Sequence, residues 1–189
     1  MTITLLTKSM LALLVAAPLF SACKDDNEDP KPDADNEQIT TVIYTLTPQS
    51  GGAPLFIQYR DPDGDGGTPA TITPATLTLV PNTTYTGSLT LLDETKTPAE
   101  NITAEILEES DEHLFVFTPT GVNLTIAATD KDKNNLPVGL SSQAVTGTAN
   151  STGTTGSLKI TLRHQPGTKN GTATPGDTDV EVTFPTAVR

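Results

Sequence analysis

Three groups of residues have the types and spacing that chemistry needs. The first is Asp61-Pro62-Asp63-Gly64-Asp65-Gly66-Gly67. Carboxylates at every second position, with glycines that permit a tight turn, can wrap oxygens around a hard cation; Ca²⁺ is the ion such a loop would take. The twelfth position from Asp61 is Ile72, so the bidentate acid of an EF-hand is missing. The same composition makes an ordinary strand connection, and that reading stands slightly ahead because the loop alone offers few ligands. The second group is the histidine pair, His113 and His164, the only two in the chain. His113 is in phase with Phe115 and Phe117, and His164 with Leu158, Ile160 and Leu162. Each therefore faces a core from the end of a strand. Two imidazoles sharing a carboxylate would hold a transition metal, or would supply two axial ligands to haem. No His-x-His or His-x₃-His spacing joins them, so the expectation is of two structural histidines lying apart. The third group is Asp130-Lys131-Asp132-Lys133-Asn134-Asn135. Its lysines weaken the pull on a cation, and a hairpin loop is expected there.

Catalysis has little support. The chain contains no Gly-x-Ser-x-Gly and no phosphate-binding glycine loop, and its single cysteine is Cys23. Glu108, Glu109, Asp111 and Glu112 read as the solvated end of a helix rather than as an acid–base pair. The expectation is of a protein that is not an enzyme and holds no firm cofactor.

The elements that must position these groups alternate with a period of two. Val42, Tyr44 and Leu46 alternate with polar neighbours, as do Leu55, Ile57 and Tyr59, and then Tyr85, Gly87, Leu89 and Leu91. Shorter candidates carry Leu77 and Leu79, and Leu124, Ile126 and Ala128. Leu158, Ile160 and Leu162, and finally Val180, Val182 and Phe184, complete the series. In the last run Asp179, Glu181 and Thr183 fall on the opposite face. His113 to Thr118 is apolar on both faces and is expected to be a central strand. Gly, Pro and Asn clusters separate the runs. This pattern predicts a mainly β fold, an immunoglobulin-like antiparallel β-sandwich, with a jelly roll or small barrel as the alternative. Thr97-Pro98-Ala99-Glu100 has the form of a helix start, and Ala99, Ile102 and Ile106 share a face, which predicts one short helix near 98–109.

The N-terminus addresses the domain. Lys8 precedes an apolar run from Met10 to Phe20, followed by Ser21, Ala22 and Cys23. A run this short reads as a signal peptide over residues 1–22 rather than a membrane span. Leu19-Phe20-Ser21-Ala22-Cys23 resembles a lipobox, which makes Cys23 the lipidated first residue of the mature chain. Lys24, Asp25 and Asp26 open an acidic run that resembles the surface-export signal of Bacteroidota lipoproteins. Residues 23–38 are nearly devoid of apolar side chains and read as a flexible tether, and residues 39–189 as one domain. Removal of 22 residues from the 189 takes one Lys with it and moves the net charge from −12 to −13. A chain so acidic repels nucleic acid. With Cys23 committed to lipid, the domain must be held by its core rather than by disulfides.

Cys23-Lys-Asp-Asp, Ile39-Thr-Thr-Val, Asp61-Pro-Asp-Gly-Asp-Gly, Asn82-Thr-Thr-Tyr-Thr-Gly, Leu91-Leu-Asp-Glu, Pro98-Ala-Glu-Asn-Ile-Thr, Asp111-Glu-His and Thr161-Leu-Arg-His together resemble a group of uncharacterised Bacteroidota lipoproteins. Its members are often labelled as a type 1 periplasmic binding fold, which implies alternating helices and strands, whereas the alternation in this chain reads as nearly all β. The resemblance carries no active-site residues. It implies an outer-membrane lipoprotein exposed at the cell surface. Taken together, the expected function is a non-enzymatic binding module, held to the membrane by its lipid. An outer-membrane receptor or an extracellular protein is the partner expected. A structural or adhesive surface protein is the alternative, and a metal- or haem-binding accessory of an uptake receptor stands third.

Overall fold

The structure, a computed structural model, describes residues 37–64 and 67–189. The signal peptide, Cys23, Lys24, Asp25, Asp26 and most of the tether, as well as Asp65, lie outside the described residues.

The described chain forms strands β1 (Thr41–Pro48), β2 (Leu55–Arg60), β3 (Thr71–Thr73), β4 (Leu77–Leu79) and β5 (Thr84–Leu92). Helix α1 (Ile102–Glu108) follows. The remaining strands are β6 (His113–Thr120), β7 (Leu124–Ala128), β8 (Ser141–Thr146), β9 (Gly156–His164) and β10 (Asp177–Val188). One sheet has the order β3-β2-β1-β5-β8-β7 and the other β4-β10-β9-β6. Neither closes into a barrel; the fold is the expected β-sandwich with one short helix. The one parallel pair among the described residues, β4 beside β10, departs from the expectation of antiparallel strands throughout.

The alternating apolar residues supply the core, as a period of two requires when one face is buried. Tyr44, Leu46, Ile57, Tyr85 and Leu91 from one sheet meet Leu158, Ile160, Leu162 and Phe184 from the other. Tyr44 keeps its hydroxyl inside the core, 2.8 Å from the Ser142 hydroxyl. Burial pushes this phenol up to about 12, against the opposing pull of the Ser142 hydrogen bond. A Cβ on Gly87 would overlap both of these side chains, which is why the alternating run of β5 carries a glycine there.

Two further expectations are corrected, and one strand lies where none was expected. The helix begins at Ile102, after an Asn101 cap, not near residue 98. Asp93 and Glu100 exchange two backbone hydrogen bonds (3.1 and 2.9 Å), which holds Thr97 and Pro98 in the loop between them. The run from His113 is an edge strand, not a central one. Its outer side is partly covered instead by a loop, with the Phe115 N–H donating to the Val138 carbonyl at 2.7 Å. Finally, β8 escapes an apolar pattern because its inward residues are Ser142, Ala144 and Thr146.

Candidate metal centre

β6 and β9 pair antiparallel, and the register places His113 directly opposite His164. Residues directly opposite in an antiparallel pair point to the same face with Cβ atoms about 5 Å apart. The two rings therefore stack, with centroids 4.8 Å apart and planes 6° from parallel. The expectation that these histidines lie apart is wrong: sequence spacing does not join them, but a ladder between residues 113 and 164 does.

β10 lies on the other side of β9 and brings a third group. Its register is Thr178 opposite Arg163 and then Val180 opposite Leu162, so Asp179 is the extra residue of a β-bulge. A bulge re-aims a side chain. Strict alternation puts Asp179 on the outer face with Glu181; the bulge turns it inward, where its side chain is 0% exposed. Arg163 secures the approach to this bulge by hydrogen bonds to the Thr178 hydroxyl and to the carbonyls of Pro175 and Gly176.

Asp179 Oδ2 lies 3.7 Å from His113 Nε2, and its Oδ1 lies 4.0 Å from His164 Nδ1. Neither carboxylate oxygen has a hydrogen-bond partner among the described residues. A fourth group comes from just ahead of β1: Glu37 Oε1 is 3.2 Å from His113 Nε2. Asp179, the two histidines and Glu37 occupy one end of the sandwich, beside a cleft of about 300 Å³. Glu37, Gln38, Ile39, Tyr59, Asp61 and Asp179 line that cleft.

The tautomers follow from the other ring nitrogens. His113 Nδ1 lies 3.1 Å from the Glu109 carbonyl, which can only accept, so Nδ1 carries a proton. In the neutral ring Nε2 is then a bare lone pair. It faces two carboxylates, yet it makes no well-aligned hydrogen bond with either. Such an arrangement calls for positive charge between these groups, as a proton or as a cation. His164 Nε2, on the far side of its ring, lies 3.7 Å from Glu112 Oε2. The acids expected at the end of the helix thus flank both imidazoles, one through a carbonyl and one through a carboxylate.

The electrostatics agree with a site short of positive charge. Burial, and then the negative charge of Glu37, push Asp179 up to about 6, against the pull of His113, His164 and Arg163. Burial works to lower His113, but its contact with Glu37 and the charges of Glu37 and Asp179 carry it above the ordinary histidine value. Burial works to raise Glu37, and contact with His113 holds it below the usual carboxylate range.

The acidic loop contributes less than its spacing suggests. Asp63 Oδ2 accepts the Thr68 N–H at 2.7 Å and so closes its own turn. Asp61 accepts a hydrogen bond from the Tyr59 hydroxyl at 3.3 Å, while its Oδ1 is buried without a partner beside the cleft. Among the described residues, neither joins a group of three metal-ligating side chains, and Asp65 lies outside those residues. The Asp130 loop is the hairpin connection its composition predicts. Asp130 accepts the N–H groups of Gly139 and Ser141, and Asp132 those of Asn134 and Leu136.

Sequence reasoning missed Asp179 and Glu37. A bulge without glycine leaves no mark on the pattern, so Asp179 read as a solvated neighbour of the core. Glu37 read as the end of the tether, and only its closeness to Thr41 hinted that it could reach the sheet. No family model, no curated protein and no solved structure matches this chain.

Proposed function

We propose that the chain is a lipid-anchored, non-enzymatic binding module of the bacterial surface, whose sandwich binds one divalent transition-metal ion through His113, His164 and Asp179. One observation carries the metal: a fully buried carboxylate with no hydrogen-bond partner on either oxygen, aimed at Nε2 of one imidazole and Nδ1 of another. Buried polar groups are almost always paired, and a buried charge without a partner is costly. Two imidazoles and a carboxylate suit zinc, copper, nickel or iron better than the hard ions Ca²⁺ and Mg²⁺. Two ligands on a tetrahedral zinc lie about 3.3 Å apart. Asp179 lies 3.7 and 4.0 Å from the two imidazole nitrogens, and the three ligand atoms all lie within 4.8 Å of one another, so the set must close inward to meet that value. Side-by-side stacking of the rings favours a small ion over haem, whose axial ligands approach from opposite faces. The anchor rests on Cys23 and the residues around it.

Calorimetric titration of the whole chain in detergent with Zn²⁺ tests the site. The expected result is one equivalent bound, a raised melting temperature, and at least a hundredfold loss of affinity (about 2.7 kcal/mol) in His113→Ala and His164→Ala. Neither heat nor a thermal shift with Zn²⁺, Cu²⁺ or Ni²⁺ would overturn it. Cys23→Ser should release the folded protein from membranes, and a membrane-bound Cys23→Ser variant would overturn the anchor.

A further inference from the structure

The chain enters β1 through Glu37-Gln38-Ile39-Thr40, and these four residues are held unequally. Thr40 is fixed, its N–H donating to the Leu92 carbonyl at 3.0 Å and its hydroxyl accepting the Glu94 N–H at 2.8 Å. Ile39 packs against the rim of the core, and Gln38 is exposed. Glu37 reaches back into the sandwich. Its side chain is only 9% exposed, with Oε1 at 3.2 Å from His113 Nε2 and Oε2 buried without a hydrogen-bond partner.

We propose that Glu37 is a displaceable fourth ligand of the metal, so that occupancy of the site fixes the chain where it enters β1. This rests on the metal reading above. His113, His164 and Asp179 sit on three hydrogen-bonded strands and form a preorganised set. Three protein ligands leave one position of a tetrahedral ion open. Glu37 is already at the spacing that two ligands on one ion adopt, and it is carried on an irregular segment ahead of β1 rather than on a strand. Charge argues the same way. Two carboxylates and two neutral imidazoles balance a divalent ion, whereas Asp179 alone would leave a net positive charge in a buried place. Without the ion, Glu37 is held by its 3.2 Å contact with His113 Nε2. With it, the same carboxylate is held by a coordinate bond.

The test uses the whole chain carrying Cys23→Ser and a nitroxide on Gln38→Cys, titrated with Zn²⁺ with Glu37 intact and as Glu37→Gln. Melting in chelator confirms that both variants are folded. With Glu37 present, Zn²⁺ should slow the nitroxide. Glu37→Gln should still bind Zn²⁺, roughly tenfold more weakly, and its nitroxide should not slow even at saturation. Unchanged affinity in Glu37→Gln, or equal slowing in both proteins, would overturn the clamp and leave the metal site standing. Failure of the Glu37-intact protein to bind Zn²⁺ would overturn both.

Discussion

Asp132 and Asp179 both have side chains shut off from water, and they live in opposite circumstances. Asp132 accepts two backbone N–H groups and pairs with Lys169 at 2.8 Å, an ammonium itself buried and donating to the Ser110 carbonyl at 2.7 Å. Burial works to raise Asp132, but Lys169 and those N–H groups hold it below the usual carboxylate range. Asp179 accepts no hydrogen bond, faces another acid, and is pushed up to about 6. Burial is therefore not what distinguishes these two acids. The partners decide: Asp132 has its countercharge built into the chain, and Asp179 has a place for one.

This contrast can be broken by mutation. Lys169→Met strands a buried carboxylate and should destabilise the fold by about 3 kcal/mol in urea, with Zn²⁺ affinity unchanged. Asp132→Asn removes the charge that Lys169 needs and should cost about 2 kcal/mol. Asp179→Asn should do the reverse. It relieves an unpaired buried charge and should raise the stability of the metal-free domain by about 1 kcal/mol near neutral pH, while abolishing Zn²⁺ binding. A loss of stability in Asp179→Asn comparable to that of Asp132→Asn would make the two acids alike and remove the basis for a metal.

The smallest effect is in the pH dependence without metal. Asp179 lies above its unfolded value, so its contribution is complete below about pH 4 and is lost as pH rises through about 6. His113 is also raised, so the stability it contributes below its ordinary value is lost as pH rises through the elevated one. Glu37 is lowered and acts oppositely, its contribution being lost only as the solution is made acid. Unfolding in urea with chelator should therefore show stability falling as pH rises from about 4 through about 6, and falling further above the ordinary histidine value. Asp179→Asn should flatten the lower part of that fall and leave the part due to His113. A flat profile in the unmutated chain would show that these groups do not sense one another.

The sandwich was largely legible because alternation survives wherever one face of a strand is buried. Val42, Tyr44 and Leu46 face the core as their spacing predicts, and so do Leu158, Ile160 and Leu162. β8 was not legible, since Ser142 and Thr146 are buried but polar. The start of α1 was misplaced because the signals at Thr97 and Pro98 are equally those of a turn. Of the site, the two histidines were visible as core-facing residues at strand ends, and their meeting was not.

By itself the sequence determined the composition of the site's walls: which residues face inward along β6 and β9, and that their ends carry imidazoles. Inward direction is a local property, set by the two-residue period of an extended chain. Only the tertiary structure decided that His113 stacks on His164, that a bulge turns Asp179 toward them, and that Glu37 folds back to complete the group. Register between distant strands depends on the whole ladder and on which core face each strand must bury, and no local stretch of sequence encodes it.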